Sequence, residues 1–300
     1  MEIPEIYLSQ SLVTKPGKFG KLFAVLPDAI PELVKIVQDL VIDKDFLELY
    51  GETLNEEKQK DVDTRYVETI LGRLMARDNR PLDQIRDPGN RFVGSCRDYA
   101  IVLCSMLRHK NIPARLRCGF DQYFGIKKDF YDDHWLCEYW DSEQAKWILV
   151  DANLDETVVK KYEITLNPLN IPYDKFIVAG EAWKMIRHGT DPDKFGVSSI
   201  DIKGQWFVRG SVVRDISALY KWEALPWDYW GIADKAENDF PELDLQLLDR
   251  AAKISASADS LNEIEKIVKT LGFSISEEIT SYSPFFGQQR VKVKRPENLA

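Results

Sequence analysis

Apolar residues recur at spacings of three and four in several stretches of the first half of the chain, and this period predicts amphipathic helices. The stretches cover residues 28–43, 54–78 and 97–110. In the second stretch, one helical face would be wholly apolar and would form a buried stripe. That stripe consists of Val67, Ile70, Leu71 and Leu74.

Three apolar runs follow the third helix and are typical of β-strands, because β-branched and aromatic residues are frequent in them. They cover residues 114–124, 134–140 and 146–155. The polar turn "DSEQA" joins the last two runs as a hairpin. The middle of the chain is therefore predicted to be a helix followed by antiparallel strands.

The second half of the chain has a weaker pattern. Residues 176–189 look helical, and residues 204–223 begin like a strand and turn helical near Val213. Residues 244–271 are predicted to form two helices that are separated near residues 256–260. The chain has no internal repeats and no low-complexity segments.

Composition limits the classes of partner. A chain of 300 residues with 44% hydrophobic residues can bury a full globular core. Its net charge of -9 disfavours nucleic acid and anionic lipid as partners, because both are bound by clustered Lys and Arg. We find neither a signal peptide pattern nor an apolar run long enough to cross a membrane, so we expect a soluble, cytoplasmic protein without a membrane partner.

Cys96 is the cysteine whose surroundings favour chemistry. The four cysteines include no CxxC pair, so we expect reduced thiols. Cys96 follows Gly94-Ser95 where a helix begins, and the positive end of a helix favours a thiolate. The alternative is a buried structural thiol, which is the interpretation for the other three cysteines. Those three are Cys104, Cys118 and Cys137.

A thiolate nucleophile needs a general base, and the chain has three histidines. His109 and His188 lie at predicted helix ends, where they are expected to be exposed cations. Elimination favours His134, which begins a predicted strand. Asp151 ends the next strand of the hairpin and could face His134 and orient its imidazole.

A zinc site is the alternative for the same side chains, because thiolate, imidazole and carboxylate groups all bind zinc. Its ligands would be Cys96, His134, Asp151 and Cys137. These residues are scattered singly, without the close pairs typical of zinc sites. Arg97 and Asp98, in the first turn after Cys96, are interpreted as solvated, and the Asp98 carboxylate would suit the helix dipole.

Three segments, in order, resemble the transglutaminase-like superfamily, a branch of the papain-type cysteine enzymes, in its bacterial-type form. They are "GSCRDYAIVLCSMLRHKNIPARLRCGF", "DDHWLCEYW" and "KWILVDANLD". The resemblance covers residues 60–155 and implies Cys96 as nucleophile, His134 as base and Asp151 as orienting carboxylate. The family commonly has His-Ala-Trp, whereas Trp135 directly follows His134 here.

The resemblance implies an α+β fold with a papain-like core, in which N-terminal helices and the nucleophile helix pack on an antiparallel sheet. We expect a catalytic domain over residues 1–232, with the core motifs in 60–155 and decoration from 156–232. Residues 233–300 are expected to form a helical cap with a basic, exposed tail. The backbone N–H of Cys96 is the first expected oxyanion donor. Candidates for the second are Gln84, Asn90 and Arg91.

The resemblance implies a cysteine amidohydrolase, peptidase or acyltransferase that forms an acyl-thioester on Cys96. Its substrate would be an amide in a peptide, a protein or a small molecule, and no cofactor or metal is expected. Hydrolysis and transfer to an amine both remain open, as does the oligomeric state. The alternative is a catalytically inactive transglutaminase-like scaffold or binding module.

Overall fold

The protein, a computed structural model, is described over residues 5–236 and 240–294. It divides into two compact units: unit 1 is Met1–Leu116 with Trp135–Ile171, and unit 2 is Arg117–His134 with Pro172–Ala300. This division differs from the predicted single boundary at residue 232. Residues 117–134 group with the second half of the chain because strands pair across long sequence separations. Gly119, for example, pairs with Val178.

The α-helices of unit 1 are α1 (Ile30–Leu40), α2 (Glu56–Val62), α3 (Val67–Arg77), α4 (Cys96–His109) and α5 (Glu156–Lys161). Its short 3-10 helices are Glu5–Leu8, Gly17–Val25, Leu47–Tyr50 and Pro88–Asn90. The single helix predicted over 54–78 is two helices, because the backbone of Tyr66 is extended at the start of α3. The predicted apolar stripe of α3 is confirmed, since all four of its side chains are fully buried.

The strands that lie wholly or partly in unit 1 are β1 (Val41–Asp43), β2 (Phe92–Gly94), β3 (Ala114–Asp121), β4 (Tyr131–Asp141) and β5 (Lys146–Val150). Strand β1 pairs in parallel with β2. Strands β4 and β5 form the predicted antiparallel hairpin, in which Cys137 lies opposite Val150. Strands β3 and β4 each continue from one unit into the other.

The remaining helices and strands belong to unit 2. They are β6 (Phe176–Val178), α6 (Ala179–Arg187), β7 (Phe195–Val197), β8 (Ile202–Lys203), α7 (Gln205–Leu219), β9 (Asp228–Tyr229), α8 (Glu242–Ser257), α9 (Leu261–Val268), β10 (Glu278–Ser283) and β11 (Gly287–Lys292). Its 3-10 helices are Pro192–Lys194, Ser198–Ile200 and Gly231–Asp234. The six-stranded sheet has the order β6-β3-β4-β7-β8, with β5 also paired to β4, and β11-β10-β9 form a separate sheet.

Two expectations for the second half of the chain need correction. The strand-like start of 204–223 is wrong, because α7 is helical from Gln205 onward and every residue from Phe207 to Leu219 is buried. A helix buried on all sides lacks the amphipathic period that identifies helices in a sequence. The predicted helical cap contains α8 and α9 but also the β10–β11 hairpin. Residues 295–300 of the predicted basic tail lie outside the described residues.

The predicted α+β class is confirmed, since helices and mainly antiparallel strands build the structure. The separation of α8 from α9 near residue 258 is confirmed as well, with Ala258 in the left-handed region at the end of α8. Within the described part of the chain, no helix has both the length and the apolar character that crossing a membrane requires.

Candidate active site

The start of α4 explains the sequence around Cys96. Strand β2 ends at Gly94, Ser95 has the extended conformation of a helix N-cap, and Cys96 is the first residue of α4. The backbone N–H of Ser95 donates a hydrogen bond to Oδ2 of Asp98 at 2.8 Å. A β-carbon at Gly94 would lie 2.7 Å from the same oxygen, so glycine leaves room for this cap. The residues around Cys96 therefore fix the position at which α4 begins.

The prediction that Arg97 and Asp98 are solvated is wrong, because both side chains are fully buried. The Arg97 guanidinium donates to Oδ1 of Asp98 at 3.0 Å and to the carbonyl of Arg65 at 2.8 Å. Burial raises the pKa of Asp98, against the opposing effects of Arg97 and of the Ser95 donors. These contacts join the first turn of α4 to the segment before α3.

Cys96 differs from the other three cysteines in exposure. All four are free thiols; Cys96 is half-buried, whereas Cys104, Cys118 and Cys137 are buried. Burial raises the pKa of Cys118 and of Cys137 well above the ordinary value, which keeps both thiols protonated. Cys104, Cys118 and Cys137 are buried, as predicted for packed side chains. Cys96 is therefore the cysteine that solvent can reach.

The end of β1 is a part of the site that the sequence interpretation missed. Asp43 lies opposite Gly94 in the parallel β1–β2 pair, and the backbone N–H of Lys44 donates to the carbonyl of Gly94 at 2.9 Å. The side chains of Lys44 and Cys96 interact electrostatically. We predicted one helix over 28–43, whereas Val41–Asp43 form a strand. The available signal was the polar triplet Asp43-Lys44-Asp45 directly after an apolar run.

Asp151 is buried and belongs to a polar chain within unit 1. It directly follows β5, and its Oδ1 accepts a hydrogen bond from the backbone N–H of Asn153 at 3.0 Å. The Nδ2 of Asn153 donates to Oδ2 of Asp43 at 3.1 Å. Asn153 thus connects Asp151 to Asp43, and Asp43 lies opposite Gly94, two residues before Cys96.

His134 is the last residue of the first segment of unit 2, whereas Cys96 and Asp151 belong to unit 1. Its side chain lies in β4 and is only 4% exposed. Within unit 2, the imidazole makes edge contacts with the rings of Tyr123 and Phe124, at centroid distances of 5.9 and 5.5 Å. These two aromatic rings restrict the orientation of the imidazole.

The other predicted candidates have different surroundings. His109 and His188 are exposed at the ends of α4 and α6, as expected. Gln84 is exposed and Asn90 is half-buried. The Arg91 guanidinium donates to the carbonyls of Gln38 at 3.0 Å and Arg86 at 3.3 Å. These hydrogen bonds hold the Arg91 side chain against the backbone of unit 1. Across residues 5–236 and 240–294, His, Cys, Asp and Glu form no group of three that could hold a metal ion.

Unit 2 contains two cavities that share Trp206 and Arg209. The larger has a volume of about 460 Å³ and is also lined by Tyr229 and Tyr282. The smaller, about 250 Å³, also contacts Trp183. Some tryptophans of the second half of the chain therefore line cavities. The predicted catalytic residues line neither of these two cavities.

Residues 61–152 match the sequence model of the transglutaminase-like superfamily. The chain carries a transglutaminase-like domain. The matched segment of this domain extends from the end of α2 to just beyond β5, and it contains Cys96, His134 and Asp151. The family resemblance drawn from the sequence is therefore confirmed, with nearly the same limits as the predicted 60–155 core.

No curated protein sequence matches the chain significantly. A solved structure of a candidate cysteine protease from Cytophaga hutchinsonii is similar at 18% identity, with a TM-score of 0.32. The match covers 57% of this chain and 44% of that chain, so it spans less than half of that structure. The similarity to the transglutaminase-like superfamily lies in residues 61–152.

The buried carboxyl group of Asp43 gives this site a pH-dependent stability. Burial, and secondarily Asp45, raise the pKa of Asp43 from 3.8 to about 6, against Lys44 and the hydrogen bond from Asn153. A carboxyl with a raised pKa favours the folded state when protonated, so this stabilisation is complete below pH 3.8 and is lost as the pH rises through about 6.

We expect Asp43→Asn to remove this pH dependence. Between pH 5 and pH 8, the wild type should lose about 1.4 kcal/mol of unfolding free energy relative to the variant. Urea unfolding at the two pH values measures the change in unfolding free energy of each protein. Any effect of the substitution that is the same at both pH values cancels in this comparison. Asp28→Asn, at an exposed carboxyl, is the control. Identical pH profiles for wild type and Asp43→Asn would contradict the expectation.

Proposed function

We propose that the transglutaminase-like domain is a thiol-dependent acyl-transfer enzyme that cleaves a carboxamide or peptide bond through a thioester on Cys96. One observation carries the proposal. Cys96 is the half-exposed thiol at the first position of α4, inside the segment that matches the superfamily, while the other three cysteines are buried. A thiolate at a helix N-terminus is favoured by the unpaired N–H groups of the first turn.

The proposed reaction begins when the Sγ of Cys96 attacks the carbonyl carbon of the amide. The oxyanion accepts a hydrogen bond from the backbone N–H of Cys96. The C–N bond then breaks, and the His134 imidazolium gives its proton to the leaving amine, which leaves an acyl-thioester. Water or a second amine attacks the thioester carbon while His134 takes its proton. The C–S bond then breaks, which releases a carboxylic acid or a new amide and restores the Cys96 thiolate with the His134 imidazolium.

His134 and Asp151 are proposed as the base and its orienting carboxylate. His134 lies in β4, and Asp151 directly follows β5, the strand that pairs with β4. His134 is buried beside aromatic rings, and Asp151 is held by the N–H of Asn153. A carboxylate in this role selects the imidazole tautomer and stabilises the imidazolium that forms.

The proposed substrate is an amide in a peptide, a protein or a small molecule. Hydrolysis and transfer share the first half of the reaction, and they differ in whether water or an amine resolves the thioester. All four cysteines are free thiols, and this supports a reducing compartment such as the cytoplasm.

The pH dependence of iodoacetamide labelling at Cys96, located by mass spectrometry, tests the Cys-His pair. We expect labelling of the wild type well below pH 8, because only the thiolate reacts. In His134→Ala the labelling profile should shift to higher pH, since the imidazolium that favours the thiolate is lost. The buried cysteines should remain unlabelled in the folded protein.

His109→Ala is the matched control, because it removes an exposed imidazole at the far end of the same helix. Its labelling profile should overlay that of the wild type. Slow labelling with an ordinary thiol profile in both the wild type and His134→Ala would contradict the proposal. That result would favour a scaffold or binding module built on the same fold.

A further inference from the structure

The parallel pairing of β1 with β2 brings Lys44 to the segment that carries the nucleophile. Asp43 lies opposite Gly94, and the backbone N–H of Lys44 donates to the carbonyl of Gly94 at 2.9 Å. Gly94 precedes Cys96 by only two residues. The backbone position of Lys44 is therefore fixed relative to the first turn of α4.

The Lys44 side chain is held within this site by its acidic neighbours. It is 17% exposed, and its ammonium group forms an ion pair with the Asp45 carboxylate. Burial lowers the pKa of Lys44, but the carboxylates of Asp45 and Asp43, together with Cys96, outweigh burial and raise it above the ordinary value. Lys44 therefore carries a positive charge at neutral pH, and this charge interacts with the sulfur of Cys96.

Other cations on α4, and on the segments around it, have carboxylate partners of their own. Each of these is an ion pair between side chains in unit 1, as is the pair of Lys44 with Asp45; for Lys44, an electrostatic interaction with Cys96 is present in addition to its ion pair. The pairs are Arg97 with Asp98, Arg91 with Asp39, and Arg77 with Asp61.

Asp43 and Asp45 also face this site and oppose a thiolate when both are ionised. Asp45 is more than half exposed, so solvent screens its charge. Asp43 is buried, and its pKa of about 6 means that it is neutral in acid and charged above that pH. The favourable effect of Lys44 on a thiolate is therefore strongest below about pH 6.

We propose that Lys44 is a positioning residue, and this proposal rests on the proposed function. The ammonium group of Lys44 holds Cys96 in the thiolate form, in addition to the effect of His134. Lys44, directly after β1, would then act on the reacting sulfur from within unit 1. Through the backbone bond to Gly94 and the ion pair with Asp45, the fold keeps Lys44 in place before substrate arrives.

The test is the pH profile of iodoacetamide labelling at Cys96 in the wild type, Lys44→Met, Lys44→Arg and His134→Ala. We expect Lys44→Met to label about tenfold more slowly at pH 6, because the thiolate population falls with each unit by which the thiol pKa rises. Lys44→Arg should keep the wild-type profile, since it keeps the charge. Lys44→Gln replaces Lys44→Met if circular dichroism shows that the methionine variant is unfolded.

Lys110→Met is the matched control. Lys110 follows the last residue of the 14-residue α4, about 20 Å from its start, and it pairs with the exposed Asp28. This variant should label like the wild type. Superimposable profiles for the wild type and Lys44→Met, with an upward shift in His134→Ala, would overturn the role of Lys44 and leave the proposed function standing. An ordinary thiol profile in the wild type would overturn both.

Discussion

Replacing Cys96 with serine is expected to lower acylation of the protein by p-nitrophenyl acetate by about 10⁴-fold. The serine hydroxyl has no anionic form near neutral pH, so the helix N-terminus and the nearby cations cannot activate it as they activate a thiol. The measurement is the burst of p-nitrophenol on mixing. Mass spectrometry of the digested protein locates the acetyl group, which we expect on the peptide that contains Cys96.

The fold should tolerate this substitution, because Cys96 is half-buried and its side chain is replaced by one of similar shape. The midpoint of urea unfolding should therefore stay close to the wild-type value, and this serves as the control. A burst of equal size in Cys96→Ser, or an acetyl group on a different residue of the wild type, would show that Cys96 is not the nucleophile.

The parts of the fold that the sequence predicts well are those with local, one-sided burial. The stripe of Val67, Ile70, Leu71 and Leu74 is fully buried because α3 has one apolar face, and this face has the helical period. The β4–β5 hairpin was predictable because a short polar turn fixes its register. The start of α4 was predictable because Ser95 and Asp98 have the spacing of a helix N-terminal cap.

A segment that is buried on all sides lacks this one-sided pattern of apolar residues. Helix α7 is buried along almost its whole length, so its sequence has no polar face to show the helical period. The first turn of α4 was also mispredicted. Arg97 and Asp98 were expected to be solvated charges, and they form a buried ion pair. A charged pair can be buried only when its partners are in place, and those partners include the carbonyl of Arg65, which lies far away in the sequence.

The candidate site depends on long-range pairing in the same way. Cys96 could be identified from its immediate neighbours, but Lys44 and Asp43 reach it through the parallel β1–β2 pair. Parallel pairing joins distant segments and leaves no hairpin turn in the sequence. Asn153, two residues after Asp151, likewise reaches Asp43 by a hydrogen bond across 110 positions of the sequence. The local pattern therefore singles out Cys96, whereas the charges around it can be identified only from the fold.

Asp215 is the buried charge whose removal should cost unit 2 the most stability. Its carboxylate accepts two hydrogen bonds from the Arg117 guanidinium, at 3.1 and 3.0 Å. It also accepts from the backbone N–H of Cys118 at 2.8 Å and from the hydroxyl of Ser255 at 2.7 Å. Since Asp215 and Ser255 are fully buried and Arg117 nearly so, one carboxylate joins β3, α7 and α8.

Asp215→Ala is expected to lower the free energy of unfolding by about 3 to 5 kcal/mol, because it leaves the Arg117 charge buried without this partner. The N–H of Cys118 and the hydroxyl of Ser255 would lose their acceptor as well. Urea unfolding followed by tryptophan fluorescence measures the change. Removing both charges with Arg117→Met and Asp215→Leu together should recover much of the loss, since paired apolar groups need no counter-charge.

Asp28→Ala is the comparison for a carboxylate at the surface. Asp28 pairs with Lys110 at 2.8 Å, but its side chain is 96% exposed and solvent screens the pair, so we expect only a small change in the free energy of unfolding. A loss for Asp215→Ala as small as that of Asp28→Ala would contradict the role given to Asp215. A double variant less stable than Asp215→Ala would show that the geometry of the Arg117 pair, and not its buried charge, determines the packing of β3 with α7 and α8.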